Sequence, residues 1–504
     1  MPSTHFATPT LRRAADRSDA PALQADGHWP SLWRLAPVAA AALLAGRCGS
    51  EPVPVPATPT PTPTPRPKPN IVLVLADDDD ATSISLMPHL QELLVRQGVT
   101  FHNAFSSFPL CAPSRASLLT ALHAHNHGIW SNTDAAATFR ASGQESSTVA
   151  VKLQQAGYRT ALIGKYVNQY EGDYVPPGWD QWASVFSDVG SNAYYDYSIR
   201  ENTQVVNYGS APSDYLTDVL AQRSLDFVRQ SMQQQRPFLL WFAPSAPHVP
   251  AVPAPRHAND FATAQAPRTP SFNEEDVSDK PEYVRNMPLL TAADIDDTDA
   301  LYRDRLRAME AVDEALASLV EAVTQAGQLD NTWFIFASDN GFMMGQHRFG
   351  RGKDAPYEAS LMVPLVIRGP SVPANVTRDH MVTLVDLGAT LFALAGPLPT
   401  DNSIDGRSLL PLVSATPPAA TDWRSEILLE HQMQSPGPTA VPDYTGLRTA
   451  TEVYVEYTPT GEVEYYNLAK DPDELKNKLL DAATATTWAN RLSAVRHCRG
   501  SACP

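Results

Sequence analysis

Lysine and arginine are in the minority and nowhere dense: 38 of them against 55 aspartates and glutamates leave this 504-residue chain at a net charge of −17, with a pI near 5.2. Without a basic stripe the chain has no footprint for non-specific nucleic-acid binding, and none is expected. Any anionic substrate must be held by a few locally placed cations. The apolar stretch Leu35 to Ala45 is too short to cross a bilayer as a mature helix. Cysteine is scarce, with only Cys48, Cys111, Cys498 and Cys503. What is present is bulk. A 43% hydrophobic and 18% charged composition allows a sizeable core, and the length exceeds the usual single-domain range, so two structural units are expected.

Arg12, Arg13 and Arg34 precede Leu35 to Ala45, a run that suits the h-region of an export signal. The charged stretch before it is long for a signal and points to a translation start downstream. Cys48 follows in Leu44-Ala45-Gly46-Arg47-Cys48, similar to a lipoprotein box except that Arg47 stands where a small residue is wanted. Membrane anchoring through a lipid on Cys48 is therefore an open option. From Pro52 to Pro69 proline alternates with threonine and valine, a composition for an extended, stiff tether. The expected order is an export segment over 1–48, a linker over 49–69 and a folded body from Asn70, placed outside the cytoplasm as a secreted or envelope-anchored protein. Cys498 and Cys503, close together at the tail, are expected to close a small disulfide in an oxidising compartment, with two unpaired thiols as the alternative.

Within the body, the β-branched run Asn70 to Ala76 has the continuous apolar character of a buried parallel strand. Similar runs occupy Thr160 to Ile163, Pro237 to Phe242, Trp333 to Ala337 and Leu365 to Ile367. Between them, Leu301, Leu306, Met309, Val312, Leu316, Leu319, Val320 and Val323 recur at helical spacing, as does Val385 to Ala395. This alternation predicts an α/β domain over 70–400, a large, mostly parallel sheet flanked by helices, with ligands beyond the carboxyl ends of the strands. Glu452 to Tyr457 and Glu462 to Tyr466 flank a Thr-Pro-Thr-Gly turn, which predicts an antiparallel hairpin in a smaller α+β unit over 401–504.

Asp77 and Asp78 directly follow the first strand; Asp339 and Asn340 follow the strand Trp333 to Ala337. Four oxygen donors at strand ends are what Ca²⁺ or Mg²⁺ takes, although Asp and Asn after a strand also serve as turn formers or caps. Asp79 and Asp80 read as loop or cap residues. Cys111 lies in Cys-Ala-Pro-Ser-Arg, with Arg115 four residues on, and a lone cysteine is as easily a small buried hydrophobe as a nucleophile. Lys165 in Gly164-Lys165-Tyr166, His248 in Ala-Pro-His-Val-Pro, and Lys353 after Gly352 are further candidates, since lysines otherwise sit on solvated faces. His123, His125 and His127 alternate as in a transition-metal site, yet read better as loop residues near Cys111. His347 either reaches substrate or caps a turn; Tyr357 and Glu358 read as structural.

Cys111-Ala-Pro-Ser-Arg115 with Ala116-Ser-Leu-Leu-Thr-Ala121 resembles the signature of the type I sulfatases, with Ala121 where that signature has glycine. The resemblance extends from Asn70 to Cys503. Gly164-Lys-Tyr-Val-Asn-Gln-Tyr170 with Pro176-Pro-Gly-Trp179 looks most like the branch of N-acetylglucosamine-6-sulfatases and heparan 6-O-endosulfatases. It implies an alkaline phosphatase-like sandwich and oxidation of Cys111 to formylglycine by a formylglycine-generating enzyme. It also implies Ca²⁺, ahead of Mg²⁺, on Asp77, Asp78, Cys111, Asp339 and Asn340. Arg115, Lys165 and Lys353 would neutralise the transferring group, with His248 as acid or base and Asn168 and His347 contacting substrate. Many members carry a histidine where this chain has Val167 and Asn168, which leaves the base open.

The implied chemistry suits these residues. One hydroxyl of a hydrated aldehyde attacks sulfur and the second, once deprotonated, expels sulfate, so water never attacks sulfur. The expectation is a hydrolase of a sulfated carbohydrate or aryl sulfate, leaning to 6-O-sulfated N-acetylglucosamine. A phosphonate or phosphate diester hydrolase of the alkaline phosphatase superfamily and an inactive surface glycan binder are the alternatives.

Overall fold

Ten strands form one sheet, in the order Val376–Arg378, Val99–Phe101, Leu365–Arg368, Thr332–Ser338, Asn70–Ala76, Phe238–Ala243, Arg159–Gly164, Gln181–Phe186, Ser198–Glu201 and Gln204–Asn207. The computed structural model of the chain describes residues 68–186, 194–399, 401 and 403–504. The expected export segment, Cys48 and the expected tether up to residue 67 lie outside the described residues. From Thr332–Ser338 across to Gln181–Phe186 every neighbouring pair is parallel; antiparallel pairs lie toward the two flanks. No helix among the described residues is long and apolar enough to cross a membrane.

Asn70–Ala76 is central because both its faces are apolar. Ile71, Leu73 and Leu75 join the core on one side, Val72, Val74 and Ala76 the core on the other, as the period-two pleat requires. Helix Ala292–Gln325 covers one side with the predicted stripe of Leu306, Met309, Val312, Leu316 and Leu319. Its start is fixed by a capping box between Thr291 and Asp294. Helices Cys111–Thr120 and Leu384–Ala395 pack on the other side through Leu118, Leu119, Leu387 and Leu391.

A second sheet, Glu426–His431, Tyr444–Thr449, Glu452–Tyr457 and Val463–Asn467, is antiparallel throughout and contains the predicted hairpin. It shares a core with the first region, where Phe105, Met343 and Tyr357 meet Ile427, Leu429 and Tyr444. Helix Ala482–Val495 closes its outer face with Trp488 and Leu492, beside Cys498 and Cys503, whose Cα atoms lie 5.0 Å apart across the disulfide.

Gly164 ends its strand at φ +125°, and a Cβ there would stand 1.9 Å from the Ala243 carbonyl oxygen of the neighbouring strand. The next residue, Lys165, bonds that same oxygen through its backbone N–H at 2.8 Å. Gly164→Ala is therefore expected to cost on the order of 3 kcal/mol. Gly327→Ala, at φ +67° with nothing near, should cost about 1 kcal/mol. Urea unfolding of the two variants checks the difference.

Candidate active site

Strands Asn70–Ala76 and Thr332–Ser338 run parallel with Ala76 opposite Ser338, so Asp77, Asp78, Asp339 and Asn340 leave the sheet side by side at its carboxyl edge. Backbone bonds fix this edge: Asp78 N–H donates to Asp339 Oδ1 at 3.0 Å, and Asp79 N–H to Ser338 Oγ at 2.8 Å. Asp79 turns away to accept from Ser83, and burial pushes its carboxyl up to about 7. Asp80 accepts from Thr82. Both serve the turn, as read.

Cys111 is the first residue of helix Cys111–Thr120 and has no exposed surface. Its Sγ lies 3.4 Å from Asp77 Oδ1 and 3.7 Å from Asp78 Oδ1, and Lys353 Nζ reaches it at 2.8 Å while also pairing with Asp78. Lys165 Nζ meets Asp77 Oδ2 at 2.6 Å, both side chains fully buried. One helical turn after Cys111, Arg115 donates from Nε to Asp339 Oδ2 at 2.8 Å and from Nη1 to the Lys165 carbonyl at 2.9 Å. His248 Nδ1 donates to the Val249 carbonyl at 2.6 Å, which directs Nε2 toward Asp78 Oδ2 at 3.5 Å.

Burial raises the Asp77 carboxyl, but Lys165, His248, Arg115 and Lys353 together outweigh it and hold Asp77 ionised, well below the usual carboxylate range. Lys165 and Lys353 are correspondingly raised, because their aspartates outweigh burial. The Cys111 thiol goes the other way. Burial drives it well above its ordinary value, and the two lysines do not offset that. His248 is lowered by burial despite its acidic neighbours, so it is neutral with Nε2 as an acceptor.

The donor set fits a hard cation. Ligand atoms of Asp77, Asp78, Cys111 and His248 all fall within 4.8 Å of one another, Asp339 borders them, and Asn340 Oδ1 is buried with no hydrogen-bond partner. An orphaned amide oxygen beside three carboxylates is what an oxygen-seeking divalent ion would satisfy.

Above the site opens a cleft of about 710 Å³ that Asp78, His248 and Lys353 line together with Arg348, Arg351, Asp354, His431 and Gln434. Two expected substrate contacts are not there. His347 is buried, pairs through Nδ1 with Glu274 at 2.7 Å and stacks on Tyr357, because it belongs to the wall of a different cavity. Asn168 gives its carbonyl to Ala136 N–H, and its side-chain Oδ1 is buried without a partner, away from the cleft lining. The histidine trio is structural: His123 is buried and stacks on His125, 3.8 Å from Glu430, His127 meets Ser117 at 3.0 Å, and His125 joins Glu430 at 2.7 Å to the Cys498 carbonyl at 2.7 Å. Glu358 pairs with Arg448, and Tyr357 donates to Glu464.

Sequence reading missed Arg305, which is buried on helix Ala292–Gln325 and donates to the carbonyls of Asp78 and Pro247. Its signal was available: a cation in line with the buried stripe of Leu306 and Met309. Asp354 was also missed. It lies beside Lys353, burial pushes its carboxyl up to about 7, and Oδ1 has no partner.

Adding Ca²⁺ to the chelator-stripped full chain is expected to raise its melting temperature, by the equivalent of about 2.7 kcal/mol at a hundredfold excess over Kd. Asn340→Leu should weaken Ca²⁺ affinity at least about tenfold, which at the same Ca²⁺ concentration cuts the stabilisation to about 1.4 kcal/mol or less. A wild-type melting temperature indifferent to Ca²⁺ would refute the cation site.

The chain matches the family description Sulfatase over residues 69–397 and the description N-sulphoglucosamine sulphohydrolase, C-terminal, over 345–497. It is 36% identical over 358 residues to an extracellular sulfatase Sulf-1 homolog of Caenorhabditis elegans, aligning 69% of this chain but only 50% of that one. The chain thus spans about half the length of that relative and 35% of its Drosophila melanogaster counterpart. With human N-acetylglucosamine-6-sulfatase it is 32% identical over 453 residues, covering 82% of this chain and 81% of the relative. Among solved structures, a protein in complex with its substrate D-glucosamine-2-N,6-O-disulfate superposes with a TM-score of 0.73 over 84% of this chain and 97% of the other, at 24% identity. The fold is thus that of the sulfatases, and the chain belongs to the sulfatase family.

Proposed function

We propose that this protein is an exported sulfuric ester hydrolase that removes sulfate from a sulfated sugar resembling N-acetylglucosamine-6-sulfate. The observation that carries the reading is the setting of Cys111. A thiolate buried this completely, with Asp77 and Asp78 also against it, is disfavoured, so the sulfur is a poor nucleophile as it stands. The surrounding lysines, arginine and carboxylates instead suit an oxygen nucleophile and an anionic transferring group.

Formylglycine made from Cys111 by a formylglycine-generating enzyme would supply that nucleophile as a hydrated aldehyde. Ca²⁺ held by Asp77, Asp78, Asp339 and Asn340 would supply a Lewis acid that lowers a hydroxyl pKa. The remaining work falls to this chain's own groups. Lys353, in contact with both Sγ and Asp78, is placed to neutralise charge at the reacting atom. Lys165 and Arg115 fix Asp77 and Asp339 and keep the acidic edge in register. His248, its Nδ1 proton committed to the Val249 carbonyl, presents Nε2 as a base, which takes up the proton of the attacking hydroxyl and then hands that proton to the departing sugar oxygen. It stands in for the histidine missing at Val167 and Asn168.

The sugar reading follows the N-acetylglucosamine-6-sulfatase relatives. Export agrees with the apolar run Leu35 to Ala45 and with relatives named extracellular; a lipid on Cys48 would anchor the protein to the envelope. The cleft adds a preference. Arg348 spends its guanidinium on the carbonyls of Glu274, Met287 and Glu275, whereas Arg351 is exposed with no protein partner among the described residues. Arg351 is placed to hold a second anionic group on the glycan.

The Cys111 tryptic peptide, from protein made with the modifying enzyme, is expected to be about 18 Da lighter than the thiol form. An unmodified thiol under those conditions sinks the mechanism. Cys111→Ala should lower kcat/KM on sulfate esters by roughly a thousandfold or more, with no gain on matched phosphate esters. Arg351→Ala should raise KM about tenfold for a disulfated oligosaccharide, leaving p-nitrophenyl sulfate turnover unchanged.

A further inference from the structure

A second cavity, of about 520 Å³, lies apart from Cys111 and between the turn after Asp80, the segment Phe342 to His347, the segment Tyr357 to Pro364 and the loop Pro472 to Glu474. Its volume is in the range of small-molecule sites. The walls are largely apolar, with Phe342 and Met362 prominent, yet Asp80, Asp473 and Glu474 face the same space and no lysine or arginine lines it among the described residues. Glu474 is 2% exposed. One carboxylate oxygen accepts from the Glu358 N–H, but Oε1 is buried with no partner at all.

The nearby cations are committed elsewhere. Lys280 Nζ donates to the main-chain carbonyl of Glu474 at 2.7 Å and pairs with Glu274 at 3.5 Å, and Arg448 pairs with Glu358. Burial, with the charge of Glu358 behind it, pushes the Glu474 carboxyl well above its ordinary value, so the acid form is favoured until a cation in the cavity supplies the counter-charge that the ionised form lacks. An apolar chamber with acidic groups and an unsatisfied carboxyl oxygen calls for one kind of occupant. A divalent metal is not it, since these carboxylates do not converge into a cluster with ligand atoms within 4.8 Å of one another.

We propose that this cavity is a binding site for a small organic cation, an amine whose ammonium group meets Glu474 Oε1 while its hydrocarbon part lies against Phe342 and Met362. Because Phe342 also lines the catalytic cleft, occupant and substrate would share one side chain as a wall.

Calorimetric titration of the full chain with 4-phenylbutylamine and with the uncharged 4-phenylbutan-1-ol tests the proposal. The amine should bind once per chain and the alcohol at least about tenfold more weakly. Glu474→Gln should bring the amine down to the affinity of the alcohol, and Met362→Trp, which fills the chamber, should abolish binding of both. Asp473→Asn provides a second, milder loss of charge, with an expected drop in amine affinity alone, should Glu474→Gln fail to fold. No amine binding to the wild-type chain, equal affinity for amine and alcohol, or an amine preference that survives these charge removals would overturn it.

Discussion

The site depends on one physical constraint: five charged side chains, Asp77, Asp78, Asp339, Arg115 and Lys165, are withdrawn from water together at the end of a parallel sheet. Each alone would be costly to bury, by several kcal/mol after relaxation, and each is tolerable only because a partner from another element meets it. Lys165 reaches Asp77 from the end of a different strand, and Arg115 reaches Asp339 from a helix. The network therefore ties strand register to site geometry. A slip of one residue between Asn70–Ala76 and Thr332–Ser338 would turn a carboxylate into the apolar core and leave a lysine unpaired. Removing one member is worse than removing a pair, since the survivor stays buried without a counter-charge.

Much of this was legible in the chain. A continuous β-branched run followed at once by two aspartates places carboxylates at a strand end wherever a parallel sheet forms, and Asn70 to Asp78 is such a run. The helix over Ala292–Gln325 was legible from its spacing, and Cys111, Arg115, Lys165, His248 and Lys353 from short motifs. Sheet order was not, because pairing of Phe238–Ala243 between Asn70–Ala76 and Arg159–Gly164 is a long-range choice that local pattern does not encode. His347 follows a motif that does reach the site region, but its backbone turns through φ +49° and carries the ring to Glu274. Asn168, three residues beyond Lys165, is likewise turned from the cleft. Short sequence distance sets neighbourhood, not direction.

The departure at Ala121 also has a physical side. This residue caps helix Cys111–Thr120 in the left-handed conformation, φ +56°, where glycine is free of the roughly 1 kcal/mol that a Cβ costs. Its N–H and carbonyl are both used, the carbonyl accepting from Asp405 and Gly406 at 2.8 and 3.2 Å. Tertiary contacts hold a strained cap that local preference would relax. Just beyond the helix, His125 in the short helical turn Ala124–His127 joins Glu430 of the antiparallel sheet to the Cys498 carbonyl of the tail, so the sheet and the tail are braced against the segment that follows the helix. That sheet also brings His431 into the lining of the cleft, so residues far along the chain help to shape it.

The complete enclosure of Cys111 sets an order of events. A thiol with no accessible surface, roofed by Lys353 and floored by two aspartates, offers no approach to another protein's active site. Any enzyme that oxidises it must meet the segment while it is still an extended peptide, before strand Thr332–Ser338, made more than two hundred residues later, brings Asp339 against Arg115. An enzyme that converted Cys111 would thus compete with folding for the same stretch of chain, and a molecule that folded first would have to open again before it could be converted.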